Sequence, residues 1–182
     1  MHLSDAQIRK AELSDAEAVA SLAAALFPLG CPAETRAEDL AEHIGRELTP
    51  ERFRELLGDP GVVVHLASVS GKLAGFAMVA WGGAAPEAVA DVRCELRKLY
   101  VDPAFHGQGL AGRLVDAVFQ TAERLGHRSL WLSVHSGNER AIGFYSKCGF
   151  RVVGSQEFLV GSDAQKDYVM RCDREGGPGA AD

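Results

Sequence analysis

No two cysteines in this chain have Cys-x-x-Cys spacing; Cys31, Cys94, Cys148 and Cys172 lie far apart, which removes the usual zinc and dithiol arrangements. Free thiols in a reducing cytoplasm are the expectation. An excess of positive charge is also missing. The formal net charge is -6, whereas nucleic-acid binding draws most of its affinity from Lys and Arg set against phosphates. A nucleic-acid partner is therefore not expected, and a small cationic substrate suits the charge better. A membrane partner is not expected either, because a hydrophobic fraction of 47% and a charged fraction of 24% are those of ordinary globular chains. Met1-His2-Leu3-Ser4-Asp5 carries no basic flank ahead of an apolar run, so no export or import signal is read there. The histidines are scattered, and His43, His65 and His127 read as packing or surface residues with no metal site.

What is present fits one domain, taken as residues 1-173, followed by a Gly-rich tail at 174-182 that has nothing to bury and is expected to be disordered. Ile8 to Ala11 reads as a strand, and Ser14 with Glu17 as a capping box opening a helix through Val19, Leu22, Ala23 and Leu26. Pro28 and Pro32 end it; two acidic helical stretches follow at 37-48 and 50-57. Residues 62-69 and 72-81 form an antiparallel hairpin about Ser70-Gly71, and 92-101 is the next strand. An amphipathic helix over 108-125, a strand at 129-134, a helix at 138-148 and strands at 150-153 and 168-172 complete the chain. This order predicts a mixed sheet flanked by helices.

Chemistry concentrates where the strand ending at Val101 passes through a short loop into His106-Gly107-Gln108-Gly109-Leu110-Ala111-Gly112. The first N–H groups of a helix have no partner within it, and the aligned peptide dipoles place partial positive charge there, so a pyrophosphate can accept several hydrogen bonds at once. Gly107 and Gly109 let the backbone approach those oxygens. A Walker A loop is excluded, because Gly112 is followed by Arg113-Leu114 and not by Lys-Ser/Thr. Gly107 to Gly112 does spell Gly-x-Gly-x-x-Gly, but the strand at 129-134 ends without the acidic residue that a nicotinamide ribose would need.

These residues resemble the GNAT superfamily of acyl-CoA N-acyltransferases, whose Gln/Arg-x-x-Gly-x-Gly/Ala signature falls on His106, Gly109 and Ala111, with His in the first position. Asn138-Glu139-Arg140-Ala141-Ile142-Gly143-Phe144-Tyr145, continuing to Gly149-Phe150, is similar to the family's Asn-x-x-Ala-x-x-Phe-Tyr-x-x-x-Gly-Phe run; alone, it also fits the buried face of an ordinary helix. The stretch from Phe158 through Gly161, Asp163, Gln165 and Asp167 to Met170 resembles the spermidine/spermine-type, PaiA-like branch, as do Glu38-Asp39 and Trp131-Leu132.

The resemblance implies an α+β fold: a mixed, mostly antiparallel sheet of about six to seven strands flanked by four to five helices. It implies acetyl-CoA as cosubstrate, a small-molecule primary amine such as a polyamine as acceptor, direct transfer and a possible homodimer. Tyr145 takes the place of the family's general acid, Leu99, Tyr100 and Val101 offer backbone to the thioester, and Asn138 contacts the pantetheine or nearby backbone. Because an ammonium must lose a proton before it can attack, a base is needed. Glu95 is the first candidate, unless it is only a surface carboxylate beside Arg93 or Arg97, and His135 is the second. Cys94 and Cys148 read as inert buried thiols. Glu34, Glu38, Asp39, Glu42 and Glu47 either line a cation-binding mouth or are solvated helix faces. Transfer to protein lysines or N-termini, and an acyl-CoA sensor without turnover, are the competing readings.

Overall fold

Strands rich in β-branched and aromatic residues build the centre of the protein. In the computed structural model, which describes residues 6–174, Val62–Val69 (β2) and Lys72–Trp81 (β3) form the expected antiparallel hairpin, almost wholly buried. Ala6–Lys10 (β1) adds to one side of this pair and Cys94–Val101 (β4) to the other. Ser129–His135 (β5), Arg151–Val160 (β6) and Asp163–Asp173 (β7) complete a seven-stranded sheet in the order β1-β2-β3-β4-β5-β7-β6. Every pairing is antiparallel except β4 with β5. Five α-helices flank the sheet: Ala16–Leu26 (α1), Ala37–Glu47 (α2), Pro50–Gly58 (α3), Leu110–Arg124 (α4) and Glu139–Lys147 (α5). The mixed α+β architecture is as expected. The tail expected to be disordered lies, from residue 175 onward, outside the described residues.

The two faces of the sheet carry different helices. Leu110, Leu114, Val115 and Val118 of α4 pack on the same face as Cys94, Leu96, Leu130 and Leu132, while Val19, Ala20 and Ala23 of α1 and Phe53 of α3 pack with Leu66, Phe76 and Met78 on the other. Each fully buried Leu, Val or Phe contributes on the order of 2 kcal/mol. A bulge decides how β4 serves both faces. Val79 pairs with Leu96 but Met78 with Lys98, so Arg97 is the extra residue. Its insertion reverses the alternation: Cys94 and Leu96 face α4 before it, Leu99 and Val101 after it, and Tyr100 turns to the opposite face against Phe76.

Three local readings are corrected. The chain enters α1 through a 3-10 turn, Leu13–Asp15, and the cap is made by Asp15, which accepts from the Glu12 N–H at 2.8 Å and pairs with Arg9 at 2.7 Å; Ser14 and Glu17 do not form it. The helix α4 begins at Leu110 and not at Gln108, because Gly107 and Gly109 both have positive φ, which a helix does not accommodate. The last two strands are far longer than 150-153 and 168-172, and their turn falls at Gly161. The apolar stretch Leu13–Gly30 has a mean hydropathy of 1.2, but it is two 3-10 turns about α1, whose buried face packs on the sheet.

Candidate active site

The parallel pair β4–β5 is joined at a single register point, Glu95 opposite Trp131, and beyond it the strands diverge. Backbone groups that would have crossed to a neighbour are left facing the gap. On an antiparallel edge both the N–H and the C=O of one residue point the same way, alternating along the strand. Since Asp102 N–H donates to Ala74 O of the β3 side, Tyr100 shares that direction, and the groups of Leu99 and Val101 point into the gap. The Val101 carbonyl there hydrogen-bonds His106 Nε2 at 2.8 Å, which ties the strand end to the loop that follows.

That loop makes the second wall. Asp102 caps a short 3-10 turn, Pro103–Phe105, by accepting from the Ala104 N–H at 2.9 Å, and Gly107 (φ 75°) and Gly109 (φ 81°) then turn the chain into α4. A side chain at Gly109 would be strained by its left-handed backbone conformation. Among the described residues, no amide from Gly107 to Gly112 donates to a protein acceptor, and the first bond back into the turn is Arg113 N–H to Gly109 O at 3.2 Å. Six adjacent donors at a helix N-terminus, with open space where side chains would have stood at Gly107, Gly109 and Gly112, fit a pyrophosphate.

The gap, the glycine turn and α5 enclose a cavity of about 720 Å³. Leu99, Tyr100, Val101, His106, Gly107, Gly109, Leu110, Ala111, Gly112, Asn138 and Tyr145 all line it, together with Leu26, Leu29 and Phe105. Two expected residues do not: the Gln108 side chain turns back to donate to Ala104 O at 2.9 Å, and Glu95 lies at the closed end of the gap, held by Arg97 Nε at 3.0 Å. Asn138 is the N-cap of α5, its side-chain oxygen accepting from Ala141 N–H at 3.1 Å, so it shapes the cavity wall by fixing the helix start.

Tyr145 is half-buried, edge-on to Phe144 and Phe150. Burial pushes its phenol above the ordinary tyrosine range, so at neutral pH it is protonated and able to donate. Tyr100 is raised for the same cause. The thiols of Cys94 and Cys148 are likewise raised by burial, Cys94 to about 12, which removes both as nucleophiles at neutral pH.

Behind Tyr100, on the face away from α4, is a second group of polar side chains that sequence reasoning did not single out. The Ser133 hydroxyl donates to Asp167 Oδ2 at 2.6 Å, and the Gln156 amide donates to Ser133 at 3.1 Å. Asp167 and Gln165 had been quoted only as part of a motif; their alternation along β7 with exposed Ala164 and Lys166 was the signal that they point inward. Of the acidic residues of the early helices, none lines the cavity described above. Asp39 is buried, accepting from Ser162 N–H (2.8 Å), Ser162 Oγ (3.0 Å) and Arg36 (2.7 Å), and these donors hold its carboxyl at about 2. Glu34, Glu38 and Glu42 are exposed.

Comparison with known proteins agrees with this geometry. The acetyltransferase (GNAT) family model matches residues 25–150. An uncharacterized N-acetyltransferase of Mycobacterium tuberculosis is 37% identical over 158 residues, covering 87% of this chain and 97% of that protein. The crystal structure of the PaiA N-acetyltransferase from Thermoplasma acidophilum in complex with coenzyme A superimposes with a TM-score of 0.74 at 18% identity, over 93% of this chain and 99% of that one. Arabidopsis thaliana NAA60, in complex with a bisubstrate analogue, does so with a TM-score of 0.69 at 19% identity, over 93% and 99%. The chain belongs to the GNAT acetyltransferase family, and acetyl-CoA is its cosubstrate.

Proposed function

We propose that this enzyme moves the acetyl group of acetyl-CoA directly to a primary amine of a small molecule, with a polyamine as the first candidate. The observation that carries the reading is the meeting, in one cavity, of the free amides of the glycine turn, the gap-facing amides of β4 and the protonated Tyr145. The pyrophosphate rests on Gly107 to Gly112 and the pantetheine runs along Leu99 to Val101 beside Asn138. The polyamine assignment draws on the Phe158-to-Met170 sequence pattern and on the fold shared with PaiA.

In the reaction the acceptor ammonium first gives up a proton, to Glu95 through water, with His135 as the second candidate. The nitrogen lone pair forms the new C–N bond, the thioester oxygen is met by the N–H of Leu99 or Val101, and the C–S bond breaks as Tyr145 gives its proton to the sulfur; the second proton, lost by the nitrogen as the amide forms, restores the tyrosine phenol. Asp39 bonds the β6–β7 turn at Ser162 to the start of α2, which ties these two elements together on the proposed acceptor side. We take the domain as residues 1-173 and the enzyme as cytoplasmic, with a homodimer as its assembly.

Mixing the protein with acetyl-CoA and a panel of monoamines, spermidine and peptides, while following thiol release, separates the readings. Release with small amines is expected. Release with peptides alone would favour a protein acceptor, and cofactor binding without release a sensor. In the same assay Tyr145→Phe should lower turnover about ten- to ten-thousandfold with acetyl-CoA affinity little changed. Unaltered turnover would remove Tyr145 from the reaction.

A further inference from the structure

Asp167 is only 6% exposed, and among the described residues no Lys, Arg or His forms an ion pair with it. A carboxylate taken out of water without a countercharge is costly, so such a position is retained only where something compensates it. Compensation within the protein is partial: His135, opposite on β5, favours the charged carboxylate without forming an ion pair with it. Ser133 Oγ, itself oriented by Gln156, donates to Oδ2; Oδ1 has no hydrogen bond, and it is not among the buried polar atoms sealed without a partner. One oxygen is thus fixed and the other is open to an incoming donor.

Register fixes where that oxygen lies. Asp167 is opposite His135 on β5, two residues beyond the Ser133–Val169 pair, along the length over which β5 has parted from β4. It shares the sheet face of Tyr100, away from α4. Tyr100 links the two sides: its hydroxyl is within electrostatic reach of Tyr145 and of Cys31, and the Cys31 thiol is in turn within reach of Asp163 and Asp167. Leu26, Leu29 and Gly30, just before Cys31, line the acetyl-CoA cavity. Asp167 therefore lies on the sheet face away from α4, one strand beyond β5 from the gap and outside the lining of the acetyl-CoA cavity, on the side from which we take the acceptor to enter. Lys98 faces the same side of β4; burial lowers its ammonium below the ordinary lysine range, and Glu47 and Glu95, which favour its charge, are opposed by Arg97 and Arg52.

We propose that Asp167, oriented by Ser133 and Gln156, receives an ammonium group of the acceptor, so that the substrates of this enzyme are cationic amines. The assignment rests on the acetyl-transfer reading and names its acceptor site. Burial already holds the Asp167 carboxyl above the ordinary carboxylate range, and a bound cation would relieve that cost.

The test uses the full chain, with spermidine and n-butylamine as acceptors. Asp167→Asn keeps the shape and a group for Ser133 to bond, yet removes the charge. The acceptor KM should rise about ten- to hundredfold while the acetyl-CoA KM stays within about twofold, a split that general loss of packing would not produce. Should that variant fold poorly, Ser133→Ala removes only the orienting bond and should raise the acceptor KM about three- to tenfold. If the wild type acetylates these amines and Asp167→Asn has an unchanged acceptor KM, the acceptor site is overturned and the acetyl-transfer reading stands. If the wild type releases no thiol with any amine, that reading fails, and calorimetric titration of spermidine into the coenzyme A-loaded protein decides the site. Binding lost in Asp167→Asn supports it; equal or absent binding in both proteins overturns it.

Discussion

Single residues here are governed by what burial does to their protons. His65 lies on β2, 7% exposed, with Nε2 2.8 Å from the Thr121 hydroxyl, which also accepts from Arg124 at 3.2 Å. The ring and the Thr121 hydroxyl share this hydrogen bond, and burial depresses the imidazole from its usual 6.5 to about 4. Below 6.5 the unfolded chain takes up a proton that the folded protein refuses, so this contribution is complete above that pH and is lost as pH falls toward 4. The loss amounts to roughly 2–4 kcal/mol. His43, stacked on Phe27 at 4.3 Å and also depressed by burial, acts in the same direction. Urea unfolding at pH 7 and pH 5 should show a smaller acid loss for His65→Gln than for the wild type; equal losses would mean that His65 does not titrate as described. That His65 packs inside was legible from the apolar run around it. Its partner was not, because Thr121 is 56 residues away and nothing local marks the pair.

Among elements, the β6–β7 hairpin does most to shape the acceptor side, and it was the least legible. Gly161 sits at its turn with φ 59°, and a Cβ there would stand 2.6 Å from Asp39 Oδ1 and 2.7 Å from Asp39 Cα. Close approach and a left-handed backbone both require glycine. Gly161→Ala should cost roughly 1–3 kcal/mol, seen as a lower melting temperature, and should raise the acceptor KM as the turn moves off α2. A variant that melts like the wild type would show that the contact yields freely. Residues 154-167 carry polar side chains on both faces apart from the consecutive apolar run Phe158-Leu159-Val160, so no two-residue hydrophobic period marks the strands, and what fixes them is pairing with each other and with β5. Helix α4 was legible because it has one apolar face at the helical period, and the hairpin β2–β3 because both strands are runs of β-branched and aromatic residues about Ser70-Gly71. The Arg97 bulge left no such mark: Cys94 to Val101 reads as a plain strand, and only its register against β3 reveals the extra residue.

For the whole molecule, function follows from one departure from regular pairing. A sheet closed through β4 and β5 would bury every backbone group and leave no room for a thioester; parting the strands beyond Glu95 and Trp131 opens the cavity, and on our proposal the acceptor enters from the face away from α4. The sequence marked the cofactor half clearly, since the glycine turn and the Asn138-to-Tyr145 run carry their chemistry in consecutive residues. The acceptor half we propose draws on β5, β6, β7 and the loop after α1, whose residues meet only in the folded chain. At the proposed site, unpartnered amides at the turn into α4 hold the pyrophosphate of acetyl-CoA. Calorimetric titration of acetyl-CoA into the wild type and Gly109→Val tests it most directly. The predicted result is saturable binding by the wild type and at least about tenfold weaker binding by a variant that melts as a folded protein. Equal affinity in the two proteins would contradict it.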